Sequence, residues 1–380
     1  MNIPYNRPHV TGNEFGNIKE AIAKRHLSGN GYFTNLCHSF FQETYGFKKC
    51  LLTTSCTDAM EMAAILINIQ KGDEVIMPSF TFVSTANAFV LRGAKIIFAD
   101  SATDHPNIDA DKLEQLVTKK TKAIVVVHYA GVACDMEKIM ELADQHNLFV
   151  VEDAAQAVDS HLTSAGNKKK PLGSFGHFAA FSFHESKNIQ CGEGGMLVVN
   201  DERYFNRAEI IWEKGTNRAA FFRGEVDKYT WVDIGSSFLP SEITAAFLYA
   251  QINSLQKIQD KRKRLWDVYF KELFPLSEQE KIEVPQLPLY AENNAHIFYI
   301  VCKNLQERTA LISFLKTHSI ESMFHYVSLH TSNYYRSNNK DIELTNAKRF
   351  SDCLLRLPIF PDLSEGDIGF IAAKVKEFYE

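Results

Sequence analysis

Between residues 50 and 200 the chain alternates short apolar runs with longer stretches of helical pattern. The runs EVIMP (Glu74–Pro78), KIIFAD (Lys95–Asp100), KAIVVVHY (Lys122–Tyr129), LFVVED (Leu148–Asp153) and GMLVVN (Gly195–Asn200) are rich in branched residues, and HFAAFSF (His177–Phe183) adds another. None alternates strictly between apolar and polar positions, as expected of strands buried on both faces. Helix-like segments separate most of them: Cys56–Ile69, Ser84–Arg92, Asp109–Thr118 and Asp135–His146. This interleaving predicts an α/β fold with a mainly parallel central sheet and helices on both sides.

The pattern changes near residue 250. AAFLYAQINSLQKIQDKRKRLWDVYFKEL carries helical periodicity over a long span, and PLSEQEKIEVPQLPLY reads as a proline-punctuated connector. A strand at His296–Cys302 and helices near Glu307–His318 and Ser364–Phe378 complete the chain. With 380 residues, more than one core is expected. The division predicted is a large α/β domain over 1–250 and a smaller α+β domain over 251–380.

Composition narrows the function classes. A net charge of -5 gives no electrostatic footprint for nucleic acid or for an anionic membrane. No apolar run approaches the ~20 residues of a membrane span. The seven cysteines are scattered, with no C-x-x-C pair, which argues against a disulfide framework or a zinc site. MNIPYNRPHV lacks the charged and apolar regions of a secretion signal, so a cytoplasmic location is expected. KRKR (Lys261–Arg264) falls in the long helical stretch and reads as a solvated or paired face, and NKKKP (Asn167–Pro171) reads as an exposed turn. His325 and His330 lack the spacing of a helical zinc pair, and His184–Glu185 forms no HExxH, so no metal site is predicted.

Three segments carry candidate chemistry. In LLTTSCTDAMEMA a strand runs into hydroxyl residues and then a helix, with Ser55-x-x-Asp58 in capping-box form. The free N–H groups of that helix start, beside Ser55 and Thr57, suit either a plain cap or a phosphate. In VVEDAAQA a buried strand ends at Asp153, able to cap a helix or to hold a cationic ring nitrogen protonated. FSFHESKNIQCGEGG places Lys187 between an apolar strand and a glycine cluster. Such a lysine is either a solvated loop charge or an amine prepared for covalent chemistry. Ser182, near the strand end, has a hydroxyl that suits a phosphate. Taken together the three match pyridoxal 5′-phosphate (PLP), which has a phosphate, a pyridine nitrogen and an aldehyde.

The ordered set TTSCTDAMEMA, GDEVIMPSFTFVSTANAFVLRGAKIIFAD, VVVHYAGVACDM, VVEDAAQA, FSFHESKNIQCGEGG and HYVSLH resembles the DegT/DnrJ/EryC1/StrS sugar aminotransferases, PLP enzymes of fold type I, across essentially the whole chain. PSFTFVSTANAFVLRGAKI, HYAGVACDM, EKGTNR, FFRGEVDKYTWVDIGSS and LRLP are most similar to the branch of that family that makes dTDP-4-amino-4,6-dideoxygalactose for surface-antigen synthesis. The resemblance implies that Lys187 is the covalent anchor of PLP and its proton carrier. It implies that Asp153 pairs with the ring nitrogen, Gln156 approaches the ring hydroxyl, and Phe82 stacks on the ring. Ser55, Cys56, Thr57 and Ser182 would hold the phosphate, while His184, Tyr326, His330 and Arg223 would lie near substrate. It further implies a homodimer with the site at the interface, the Lys214–Arg223 segment serving the neighbouring subunit.

The implied reaction carries the amino group of glutamate to the 4-keto carbon of dTDP-4-dehydro-6-deoxy-glucose. A gluco epimer or a 3-amino sugar would come from the same chemistry. One departure stands out: Leu239 occupies the place where many members have an asparagine for the partner's phosphate, with Ser236 and Ser237 beside it. Lys187 argues against the related dehydratases, which usually have histidine there. Lys187, Asp153 and Gln156 together argue against a non-catalytic regulator of the same fold.

Overall fold

The computed structural model describes residues 2–164, 166–337, 339 and 341–380. In chain order its strands are β1 (Lys49–Thr53), β2 (Glu74–Pro78), β3 (Lys95–Ala99), β4 (Thr121–Val127), β5 (Phe149–Asp153), β6 (His161–Thr163), β7 (Lys169–Pro171), β8 (Phe178–Ser182), β9 (Gly195–Val199), β10 (Ala291–Glu292), β11 (Phe298–Val301), β12 (Met323–Phe324) and β13 (Leu354–Leu357). Seven form the central sheet in the order β1-β9-β8-β5-β4-β2-β3. Among these seven, β9 runs opposite to the other six.

Strand periodicity explains why these runs are apolar throughout. Ile76, Ile124, Val126, Val150, Phe181 and Val198 enter one core cluster, while Val75, Met77, Val125, Val151, Phe178 and Leu197 enter another across the sheet. A third cluster joins the helices Leu255–Glu278 and Glu365–Tyr379 to the antiparallel β11-β13-β12 sheet. Ile3 belongs to that cluster and bridges to Ile320, so the N-terminal segment runs beside the C-terminal elements.

Two sequence expectations change. Asp109–Thr118 forms two 3₁₀ turns, Ala110–Lys112 and Glu114–Leu116, rather than one helix. Leu113 is its one fully buried side chain, too narrow an apolar stripe for a full amphipathic helix. The long helical stretch is two helices, Glu242–Ile252 and Leu255–Glu278, parted at Asn253–Ser254. Short polar side chains there favour caps over helix interiors. The KRKR run is also not uniformly solvated. Arg262 is buried and donates to the carbonyls of Ala295, His296 and Ile359.

Candidate active site

Because β9 is reversed, it begins where its neighbours end. Gly195 is in register with Thr53 of β1 on one side and Ser182 of β8 on the other. Asp153, the last residue of β5, pairs with Ala180 of β8. One edge of the sheet therefore gathers Asp153, Ser182 and the turn leaving β1.

That turn starts the Cys56–Leu66 helix. Ser55 caps it, accepting the Asp58 N–H at 3.0 Å. The other half of the capping box does not form, since the Asp58 carboxylate takes the Thr54 hydroxyl instead. The N–H groups of Cys56 and Thr57 precede the first intrahelical bonds and are left for another acceptor. A Cβ on Gly195 would lie 2.3 Å from the Ser55 carbonyl carbon and 2.4 Å from the Cys56 nitrogen, so only glycine lets β9 pass this closely beneath the turn.

Above this edge lies a cavity of about 640 Å³. Ser55, Cys56, Thr57, Phe82, Asp153, Gln156, Ser182, His184, Lys187 and Tyr326 all line it. Lys187 arrives on a pinned loop: its N–H bonds the His184 carbonyl at 2.9 Å, and Phe183 pairs with Gly194 and Cys191. No hydrogen bond or ion pair holds its amine among the described residues. Burial pushes its pKa down, with the negative charges possible at Cys56 and Asp153 pulling the other way. The neutral amine a nucleophile needs is thereby favoured.

Asp153 is shifted toward its neutral form by burial, opposed by the Thr85 hydroxyl, the Ala155 N–H and the charge of Lys187. Thr85 Oγ1 donates to it at 2.7 Å and is itself bonded to Thr81 at 2.7 Å. Gln156 accepts the Ala130 N–H at 2.7 Å and donates to the Tyr326 hydroxyl at 3.1 Å. The exposed ring of Phe82 lies 6.2 Å from that of Tyr326.

Two sequence candidates fall outside this cavity. His330 is buried, its Nδ1 paired with the Ser79 hydroxyl at 2.7 Å and its N–H bonded to the same oxygen, so it fastens its turn to the end of β2. Arg223 lines a separate hollow and is held by Glu209 at 2.9 Å and Glu225 at 2.7 Å. Leu239 packs beside the helical core and leans on Gly29.

Other cavity residues escaped the sequence reading: Tyr5, Thr85, His296, His325 and Arg356. His296 is fixed by Nδ1 on Asn188 Oδ1 at 2.9 Å. Since the Asn188 amide nitrogen donates elsewhere, that oxygen accepts and the imidazole proton sits on Nδ1. Burial first, then neighbouring cations, keeps both His296 and His325 neutral. The one advance signal was alternation in LLRL, which sets Arg356 on the opposite face from Leu355 and Leu357.

The donor set fits PLP. A helix start with free N–H groups suits its phosphate, Asp153 retains acceptor capacity for a ring nitrogen, and Lys187 has an unengaged amine. Comparison with known proteins agrees. The DegT/DnrJ/EryC1/StrS aminotransferase family model matches residues 9–376. The chain is 31% identical to the GDP-perosamine synthase of Escherichia coli O157:H7, covering 99% of this chain and 98% of that protein. It is 30% identical to the spore coat polysaccharide biosynthesis protein SpsC of Bacillus subtilis, covering 99% and 96%. Among solved structures, DesV of S. venezuelae in complex with a ketimine intermediate superposes with a TM-score of 0.89 at 26% identity, covering 100% of this chain and 99% of that one. The chain belongs to the DegT/DnrJ/EryC1/StrS aminotransferase family and is a PLP-dependent sugar aminotransferase.

Proposed function

We propose that this enzyme moves the amino group of glutamate to the 4-keto carbon of dTDP-4-dehydro-6-deoxy-glucose, forming dTDP-4-amino-4,6-dideoxygalactose, as a cytoplasmic homodimer. The observation that carries the amino transfer is the unengaged amine of Lys187, desolvated in the same cavity as Asp153. The dTDP sugar and the galacto product rest on the likeness of the 78–96, 128–136 and 213–237 stretches to that branch of the family.

Bound PLP supplies an electron sink for the carbon that loses or gains a proton. Lys187 anchors it and, once displaced, takes a proton from the donor's α-carbon and later delivers one to the sugar carbon. The Thr85 hydroxyl and the Ala155 N–H favour the ionised form of Asp153 against burial, and in that form it would stabilise positive charge on a ring nitrogen. Ser55, Cys56, Thr57 and Ser182 bind the phosphate at the helix start, and Gln156 orients the ring's hydroxyl side. His184 and Tyr326 face the substrate from the cavity wall. His330 acts through the position of its turn. The dimer reading draws support from the exposed Phe222 on the Lys214–Arg223 segment expected to meet the neighbouring subunit, and from Trp231 and Val232, exposed a few residues beyond it. Arg223 ends that segment, and Ser236 and Ser237 are exposed further along the chain.

A second nucleotide is favoured by one observation, the 31% identity to a GDP-perosamine synthase. Incubating the enzyme with glutamate and either dTDP-4-dehydro-6-deoxy-glucose or the GDP-linked 4-dehydro-6-deoxy-mannose, then recording NMR of the product, separates the two. An axial 4-amine on a dTDP sugar is expected. An equatorial amine, or turnover confined to the GDP substrate, overturns the assignment.

A further inference from the structure

Strand β13 reads LLRL, an arginine set among leucines. Leu355 and Leu357 enter the C-terminal core, while Leu354 packs on the opposite face with Phe80 and Tyr129. Arg356 shares the face of Leu354 and lines the active-site cavity. A cationic side chain on a buried strand is costly unless its charge has a use.

The contacts within the chain leave that use open. Arg356 Nη2 donates to the Phe324 carbonyl at 3.2 Å, and the guanidinium lies 4.7 Å from the centroid of the Tyr5 ring. Its Nε is buried with no partner among the described residues. No carboxylate pairs with it there. The acids on the cavity wall are engaged elsewhere, Asp153 by Thr85 and Ala155, and Glu193 nearest His184 at 3.8 Å. Arg262 is the contrast, buried nearby with three carbonyl bonds.

The charge of Arg356 is also felt at Lys187, where it opposes protonation of the amine after the larger effects of burial, Cys56 and Asp153. His325 and His296 are held neutral, so they bring no second positive charge to this wall. Arg356 and Lys187 line the same cavity, so an anion recognised by Arg356 shares that space with the reacting nitrogen. A planar guanidinium fork matches a carboxylate through two parallel hydrogen bonds.

We propose that Arg356 binds the carboxylate of the amino donor, the one borne by the carbon whose amino group is transferred. The Tyr5 ring keeps the fork in plane, and Phe324 O holds one corner. This rests on the aminotransferase reading above. The other anion entering the cavity, the diphosphate of the nucleotide sugar, is a different source of negative charge, and the test distinguishes it.

The holoenzyme is mixed with glutamate in a stopped-flow spectrometer, and bleaching of the cofactor band is followed for wild type, Arg356→Gln and Arg356→Lys. Calorimetry gives the affinity of each for α-methylglutamate, which lacks the α-hydrogen, and for dTDP. In Arg356→Gln the half-saturating glutamate rises about 10–100-fold, the scale of a lost charge-assisted pair, while the limiting rate changes far less. α-Methylglutamate binding weakens by a similar factor, dTDP binding holds, and Arg356→Lys recovers part of the loss. Unchanged glutamate and α-methylglutamate binding in Arg356→Gln overturns the proposal, as does a loss confined to dTDP. Where glutamate fails to bleach the wild type, the donor reading has failed. The α-methylglutamate titration then still decides whether Arg356 holds a carboxylate. Equal thermal melting of the variants shows that the fold is intact; if Arg356→Gln melts lower, the same comparison is made on Arg356→Lys.

Discussion

Glu152 and Asp153 are consecutive buried acids at the end of β5, and strand alternation sends them to opposite faces of the sheet. Glu152 meets the Gly173, Phe175 and Gly176 N–H groups at 2.7–2.8 Å and His128 Nε2 at 2.9 Å. His128 Nδ1 accepts the Cys134 N–H, so its Nε2 carries the proton that meets Glu152. A carboxylate has about four acceptor positions, and the protein fills them all for Glu152. Among the described residues Asp153 receives Thr85 and Ala155, and the remainder of its capacity faces the cavity. Lys187 and Arg262 repeat the contrast among cations. A buried charge whose partners are complete fastens the fold, and one whose partners are incomplete is reserved for a ligand.

Removing the least engaged charge should have the largest effect. Lys187→Ala is expected to lower turnover by about 10⁴-fold or more, since both the anchor and the proton carrier are lost. Its thermal melting should stay near wild type, because the amine bonds nothing among the described residues. Turnover measured by product NMR within tenfold of wild type would break the contrast at once.

Asp153→Asn comes next, with opposite consequences for activity and stability. Turnover should drop on the order of 100-fold or more. The apoprotein should melt higher than wild type near neutral pH. Burial raises the Asp153 pKa above its unfolded value, so the ionised form destabilises the fold above that raised pKa. The difference between variant and wild type should close as pH falls below the ordinary aspartate range, where both states of the wild type are protonated. A lower melting point at neutral pH would show that Asp153 supports the fold after all.

Glu152→Gln reverses the pattern. Its amide turns N–H groups toward donors that need an acceptor, at a cost of about 3 kcal/mol in a urea melt. Turnover per folded molecule should suffer less than in Asp153→Asn. The same ordering would fail if Glu152→Gln left stability untouched.

Much of this site was legible because it is assembled by local rules. A strand end, a hydroxyl-rich helix start and a lysine followed by a glycine cluster are each short local patterns, and the sheet brings them to one edge. Tyr5, His296, His325 and Arg356 were not legible as site residues. They arrive from segments far along the chain, through packing of β11–β13 and the N-terminal segment that no local pattern encodes. His330 lies outside the cavity for a related reason: its motif marks a turn near the site, while the hydrogen bond to Ser79 that buries the ring is tertiary. The Asp109–Thr118 helix failed because local propensity was left without an apolar face to hold it.

The smallest effect sharpens how Asp153 is tuned. The carboxylate accepts from Thr85, so the bonded Thr81 hydroxyl must donate to Thr85 in turn, giving a relay that ends on one oxygen of Asp153. Thr85→Val keeps the shape and removes the donor. The bond to Thr85 lowers the Asp153 pKa against the effect of burial, so its loss moves that pKa further up. Activity that needs ionised Asp153 should then fall away at higher pH on the acid side of the profile, with less than about a tenfold loss at the optimum. An acid limb that stays in place would mean that Thr85 positions Asp153 without tuning it, and the openness of this acid would then have to be explained by geometry alone.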